Sequence, residues 1–149
     1  MIIRNITNNE FKKIQTIINN CNEYVTTYPL YAYWTLSKYF NKTCIVVEDK
    51  GKIIVFIRGL PSIENKIIFI WQLCVINEYR NKGIAFKLID NITKEAKKYN
   101  YEIEFSISSS NIAGINLFTK YAEQNNLKMK LLDEIKINNS KELLYRYIL

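Results

Sequence analysis

Arg80-Asn81-Lys82-Gly83-Ile84-Ala85 places two cations and a glycine between an apolar run, residues 67–76, and an amphipathic stretch, residues 83–99. A strand that delivers a glycine-containing turn onto a helix N-terminus is a way to hold phosphate. The first-turn N–H groups have no partner within the helix, and the helix dipole favours negative charge there. Gly83 lets backbone come close to a ligand, while Arg80 and Lys82 add cationic charge. The turn is neither a Walker A loop nor a GxGxxG dinucleotide fingerprint.

The rest of the chemistry is bounded by what the composition lacks. The chain has no His, which removes the commonest general base and every Ser-His or Cys-His nucleophile scheme. Proton transfer is left to carboxylates, tyrosines, backbone amides or water. Cys21, Cys44 and Cys74 are widely separated and form no CxxC pair, so a zinc site would need an unusual ligand set and no metal is expected. Cys44 and Cys74 lie in apolar runs and read as buried, inert thiols. Glu142 stands in a strand otherwise rich in apolar residues, which points to partial burial or to the edge of a site, with an exposed strand charge as the alternative. A carboxylate and an aromatic face such as Trp71 together satisfy a substrate ammonium.

The net charge of +7 is spread over scattered lysines with no dense block and no basic–aromatic motif. It reads as a solvated basic surface rather than a nucleic-acid site. No apolar stretch approaches the roughly 20 residues that span a bilayer. A cytoplasmic location without membrane contact is expected.

These residues must be positioned by regular elements. Residues 1–6 read as a strand, and residues 10–20 as a helix with Phe11, Ile14, Ile17 and Ile18 at helical spacing. Pro29 opens a second helix over residues 30–40. Strands over residues 43–48 and 52–59 flank Asp49-Lys50-Gly51, a hairpin signal. Residues 66–76 read as a long strand, 83–99 as a helix, 102–108 as a strand and 111–125 as a helix. Strands over residues 127–135 and 141–148 close the chain. The order β-α-α-β-β-β-α-β-α-β-β describes an α/β chain, a mixed sheet with helices on both faces, in a single domain over residues 1–149.

The R-x-x-G-x-A spacing in this order resembles the coenzyme A pyrophosphate loop of the GNAT N-acetyltransferase superfamily. The resemblance implies that Arg80, Asn81, Lys82, Gly83, Ile84 and Ala85 wrap the pyrophosphate of acetyl-CoA. Leu73, Cys74 and Val75 would offer unpaired backbone groups to the pantetheine arm, one of them as an oxyanion-hole donor. Asn111-Ile-Ala-Gly114-Ile-Asn-Leu117-Phe118 is similar to the family's N-x-x-A-x-x-L-Y segment, which puts Asn111 and Phe118 by the cofactor. Asn111 also reads as a helix N-cap. Where many members carry a Tyr thought to protonate the leaving thiolate, this chain has Phe118. Tyr121, one turn on, is a substitute or a core residue.

Tyr31-Ala-Tyr33, Thr43-Cys44, Phe69-Ile-Trp71-Gln72, the loop, residues 111–122 and Glu142-Leu-Leu-Tyr145-Arg146 occur in an order that resembles the diaminobutyrate acetyltransferases of ectoine synthesis. That subfamily's acceptor pocket implies substrate-binding roles for Trp71 and Glu142, with Tyr31 and Tyr33 as pocket-closing or plain helix-face aromatics. Two positions depart from its pattern, Thr26 for an Asp and Asn139 for a His. The implied activity is acetyl transfer from acetyl-CoA to a primary amine of a small amino-acid-like acceptor, such as diaminobutyrate. It would proceed by direct attack in a ternary complex, with Glu142 taking the amine proton. A protein or antibiotic amine, and a non-catalytic acyl-CoA sensor, are the alternatives. The superfamily's frequent dimers make a homodimer the protein partner to expect.

Overall fold

A computed structural model describes residues 1–21 and 23–149. Its strands are β1 (Ile2–Asn5), β2 (Cys44–Asp49), β3 (Lys52–Ser62), β4 (Ile67–Val75), β5 (Glu102–Ser108), β6 (Lys128–Ile137) and β7 (Ser140–Ile148). Its α-helices are α1 (Phe11–Ile18), α2 (Leu30–Tyr39), α3 (Ile84–Lys98) and α4 (Ile112–Gln124). Short 3-10 turns aside, this is the expected element order. Hydrogen bonding orders the strands β1-β2-β3-β4-β5-β7-β6 in one sheet of mixed sense. The chain forms two compact units, residues 1–60 with 71–92 and residues 61–70 with 93–149.

In the first unit β1 pairs antiparallel with β2, and β2 with β3. The β2–β3 turn has Lys50 at φ 49° and Gly51 at φ 77°, the left-handed pair that two-residue hairpins require. One face of this sheet carries Cys44, Val46, Phe56 and Cys74 into a core with Ile14, Ile18, Tyr33 and Leu36 of α1 and α2. Outside that core, Arg4 donates to Glu10 Oε1 at 2.7 Å and to Glu48 Oε2 at 2.7 Å. The Arg4 bond, with that from the Thr7 N–H, holds the Glu10 carboxyl down at about 2.

In the second unit the first half of β4 runs parallel to β5, from Ile67 opposite Glu102 to Ile70 opposite Phe105. β7 pairs antiparallel with both β5 and β6. Phe105 stacks on Phe118 of α4 at 4.1 Å between centroids and meets the Tyr147 ring at 4.8 Å. The buried Tyr147 hydroxyl donates to Phe118 O at 2.6 Å, and burial pushes its pKa far up.

One expectation is corrected. Cys74 is not a free thiol: it is paired with Cys21, their Cα atoms 5.9 Å apart, a separation ordinary for a disulfide. Cys21 lies beyond α1, in a stretch with no apolar pattern to announce the contact. Cys44 is free and buried, and desolvation pushes its thiol up to about 11, so it is inert as expected. Among the described residues no helix is long and apolar enough to cross a membrane. No group of three or more His, Cys, Asp or Glu among them could hold a metal ion.

Candidate functional site

The loop from β4 to α3 is built on two left-handed residues, Asn81 at φ 59° and Gly83 at φ 73°. A Cβ at Gly83 would meet nothing within 4 Å, so glycine is needed there for its backbone angle rather than for space. Three contacts fix the rest. The Arg80 Nε donates to Val75 O at 3.1 Å, the Tyr79 hydroxyl donates to Asp49 Oδ2 at 2.6 Å, and Lys82 Nζ sits 5.1 Å from the Tyr79 ring centroid. The Asp49 bond raises the Tyr79 hydroxyl above its ordinary value.

Beyond the loop, Ile84 and Ala85 bury their side chains, so what they present is backbone. α3 carries no acidic residue in its first turn and Lys97 and Lys98 in its last. That arrangement favours an anion at the helix N-terminus. Arg80 spends Nε on the backbone, which orients its guanidinium within the loop. Leu73, Cys74 and Val75 are the last three residues of β4, directly before the loop. Their Val75 carbonyl is taken by Arg80.

The other first-unit residues are aromatics in different surroundings. Trp71 is half-buried, its ring 4.4 Å from Tyr28. Tyr31 is 75% exposed, its ring 5.6 Å from Trp34. Tyr33 is wholly buried, and its hydroxyl accepts from the Tyr28 N–H at 3.1 Å. Thus Tyr33 is a core residue that holds the Tyr28 backbone, while Tyr31 is a surface aromatic.

Arg58 escaped the sequence reading, and Gln72 entered it only as part of a motif. Arg58, in the middle of β3, is 1% exposed, and its Nε, Nη1 and Nη2 have no hydrogen-bond partner among the described residues. Its guanidinium lies 4.8 Å from the Tyr33 centroid and 5.7 Å from that of Phe56. Burial lowers its pKa from the ordinary arginine value. Gln72 of β4 donates from Nε2 to Thr26 O at 2.8 Å, yet its buried Oε1 has no partner among the described residues. The signal was available: Arg58 is the lone cation in the run Ile-Ile-Val-Phe-Ile-Arg58-Gly-Leu.

In the second unit, Asn111 caps α4, its Oδ1 accepting from the Gly114 N–H at 3.0 Å. Phe118 is packed in the aromatic core beside Phe105 and cannot donate a proton. Tyr121 is 2% exposed and packs against Tyr147, the core alternative. Glu142 is partly buried on β7, opposite Ser108 and Ile135, and accepts from Ser140 Oγ at 3.2 Å.

A mixed sheet with this strand order and a glycine loop feeding α3 is the architecture of an acyltransferase, and the comparisons agree. Residues 11–122 match the acetyltransferase (GNAT) family model. The chain belongs to that family. It is similar to the L-2,4-diaminobutyric acid acetyltransferase of Vibrio parahaemolyticus, 34% identical over 78% of this chain and 68% of the relative. The enzyme of that name from Halalkalibacterium halodurans is 30% identical over 68% of this chain and 54% of its own length. The chain therefore spans between about half and two thirds of these curated relatives. It shares its fold with diaminobutyrate acetyltransferase EctA from Paenibacillus lautus, solved with L-2,4-diaminobutyric acid and coenzyme A. That likeness has a TM-score of 0.85 at 24% identity and covers 98% of this chain and 93% of that one. Ard1 from Thermoplasma volcanium has the same fold, with a TM-score of 0.83 at 15% identity over 99% and 97% of the two chains.

Proposed function

We propose that this chain is a single-domain N-acetyltransferase that carries acetyl from acetyl-CoA to a primary amine of a small amino-acid-like acceptor. The first acceptor to try is L-2,4-diaminobutyrate, on which the curated relatives are named. The observation that carries the reading is the β4–α3 loop. Its left-handed Asn81 and Gly83 turn the chain onto an α3 N-terminus free of acidic residues, with Arg80 and Lys82 alongside.

In this reading backbone N–H groups of residues 81–85 hold the pyrophosphate, helped by Arg80 and Lys82. Backbone groups of Leu73, Cys74 and Val75 take the pantetheine arm and polarise the thioester carbonyl. Asn111 and Phe118 belong to the same cofactor set. Trp71 and Tyr31 supply aromatic faces for the acceptor. Glu142 takes the proton of the attacking amine, whose ordinary pKa of about 10 keeps it charged otherwise. Phe118 leaves no acid at its position. A thiol with a pKa of about 8.5 departs as thiolate near neutral pH without one. Acetyl passes directly to the amine within the ternary complex, where proximity supplies much of the acceleration.

The reading carries a cytoplasmic location and a homodimer, with neither nucleic acid nor membrane as partner. For the dimer, β6 ends the strand order and exposes Leu131, Ile135 and Ile137. The test is thiol release from acetyl-CoA with L-2,4-diaminobutyrate, other diamines, amino acids and peptide N-termini, with the product identified by mass spectrometry. Acetylated diaminobutyrate supports the full reading. Acetylation of a peptide or antibiotic amine alone moves the substrate class. Acetyl-CoA binding without release on any amine identifies a sensor instead of an enzyme.

A further inference from the structure

A fully buried guanidinium without an anion is an unfinished interaction. Each ion taken out of water loses hydration that only a partner restores. Ring faces of Tyr33 and Phe56 support the Arg58 charge, but cation–π contact does not satisfy in-plane N–H donors. Cys44, directly opposite Arg58 on β2, cannot serve, because its thiol is neutral at physiological pH. Among the described residues, all three guanidinium donor atoms therefore wait for an acceptor.

What lies around Arg58 says what that acceptor is. Tyr33 covers the guanidinium and holds the Tyr28 N–H, while Gln72 Nε2 holds Thr26 O. Both contacts end on residues 26–28, which form neither helix nor strand, and Tyr28 stacks on Trp71. Gln72 Oε1, without a partner among the described residues, adds a buried acceptor on the adjoining strand. Fork donors on one strand and a lone acceptor on the next match the carboxylate and the N–H of an amino acid.

We propose that Arg58 is the seat of the acceptor's carboxylate, reached when residues 26–28 part from Tyr33 and Gln72, with Gln72 Oε1 receiving an N–H of the same ligand. The inference rests on the acetyl-acceptor reading and deepens it: the acceptor is an amino acid, not a simple amine. Arg58 acts by binding and is not a catalytic residue. Because its cation is uncompensated in the free protein, replacing it with an apolar side chain of similar reach stabilises that state. A merely structural arginine does the opposite.

The pair of substrates that isolates the carboxylate is L-2,4-diaminobutyrate and 1,3-diaminopropane, the same diamine without it. Wild type is expected to prefer diaminobutyrate by about 100-fold or more in kcat/KM, since a site built to bond one group rejects the analogue lacking it. In R58M the preference collapses to a few-fold, turnover of diaminopropane persists, and the free protein's Tm rises. R58K, which keeps a point charge without the fork, retains part of the preference. On wild type alone, diaminobutyrate shifts the Arg58 side-chain Nε resonance and diaminopropane does not. An R58M enzyme that keeps the full preference, or an Nε resonance indifferent to diaminobutyrate, overturns the assignment. Failure to turn over any amine while the Nε resonance still responds overturns the acetyltransferase reading and leaves the carboxylate seat standing.

Discussion

Replacing Gly83 separates the loop's conformation from its charge. Gly83 sits at φ 73° with open space where a Cβ would go, so Gly83→Ala meets only the left-handed penalty. That penalty is about 1–2 kcal/mol, or roughly 2–8 °C of Tm for a chain of this size. Gly83→Glu adds a carboxylate at the N-terminus of α3, which returns about 0.3–1 kcal/mol through the helix dipole. The Glu variant should therefore be no less stable than the Ala variant. For acetyl-CoA the order reverses. A carboxylate and a phosphate charge about 4 Å apart repel by about 4 kcal/mol at an effective dielectric constant of 20. Gly83 is exposed, and solvent screening cuts this to about 2 kcal/mol, a loss of roughly 30-fold in affinity. Calorimetric titration of acetyl-CoA into both variants, beside their melting curves, reads the two effects separately. Equal acetyl-CoA affinity in Gly83→Glu and Gly83→Ala would refute the phosphate-loop reasoning.

Other consequences follow from the framework. Glu10→Gln should destabilise the fold by about 1–2 kcal/mol near neutral pH, discounting for solvent the full worth of a carboxyl held at about 2. Because that pKa is depressed, the deficit is complete above pH about 5 and fades as pH falls towards 2, as urea denaturation across pH will show. A Cβ at Gly114 would stand 2.6 Å from the capping Asn111 Nδ2. Gly114→Ala should thus lack the roughly 0.5–1 kcal/mol that alanine normally adds inside a helix, and a raised Tm would contradict this. Phe105→Ala, at the centre of the Phe118–Tyr147 cluster, should cost about 3–5 kcal/mol in denaturant unfolding.

Most of the architecture was legible because hydrophobic period and turn residues agree. Asp49-Lys50-Gly51 announced the hairpin, and the steps of four at Ile84, Leu88 and Ile92 announced α3, all three of them buried. Bounds were read less well. β3 continues past Gly59 through Pro61 to Ser62, since a proline at a strand end gives up no central ladder bond. Asn111 showed both faces of its chemistry in sequence, and its cap is present. The Cys21–Cys74 pair was illegible because it joins segments far apart in the chain and no local pattern marks such a contact. Arg58 was passed over for a different reason. Periodicity assigns β3 to the interior and says nothing about whether a charge carried there finds a partner. Whether a polar group is satisfied is a question only three-dimensional neighbours answer.

The claim on which the rest depends is that the β4–α3 loop seats the donor, and backbone amide NMR during an acetyl-CoA titration tests it most directly. The largest shifts are expected at Leu73, Cys74 and Val75 and from Asn81 to Ala85, with β6 amides unmoved. Saturable binding that leaves the Asn81–Ala85 amides in place and shifts another surface would contradict it.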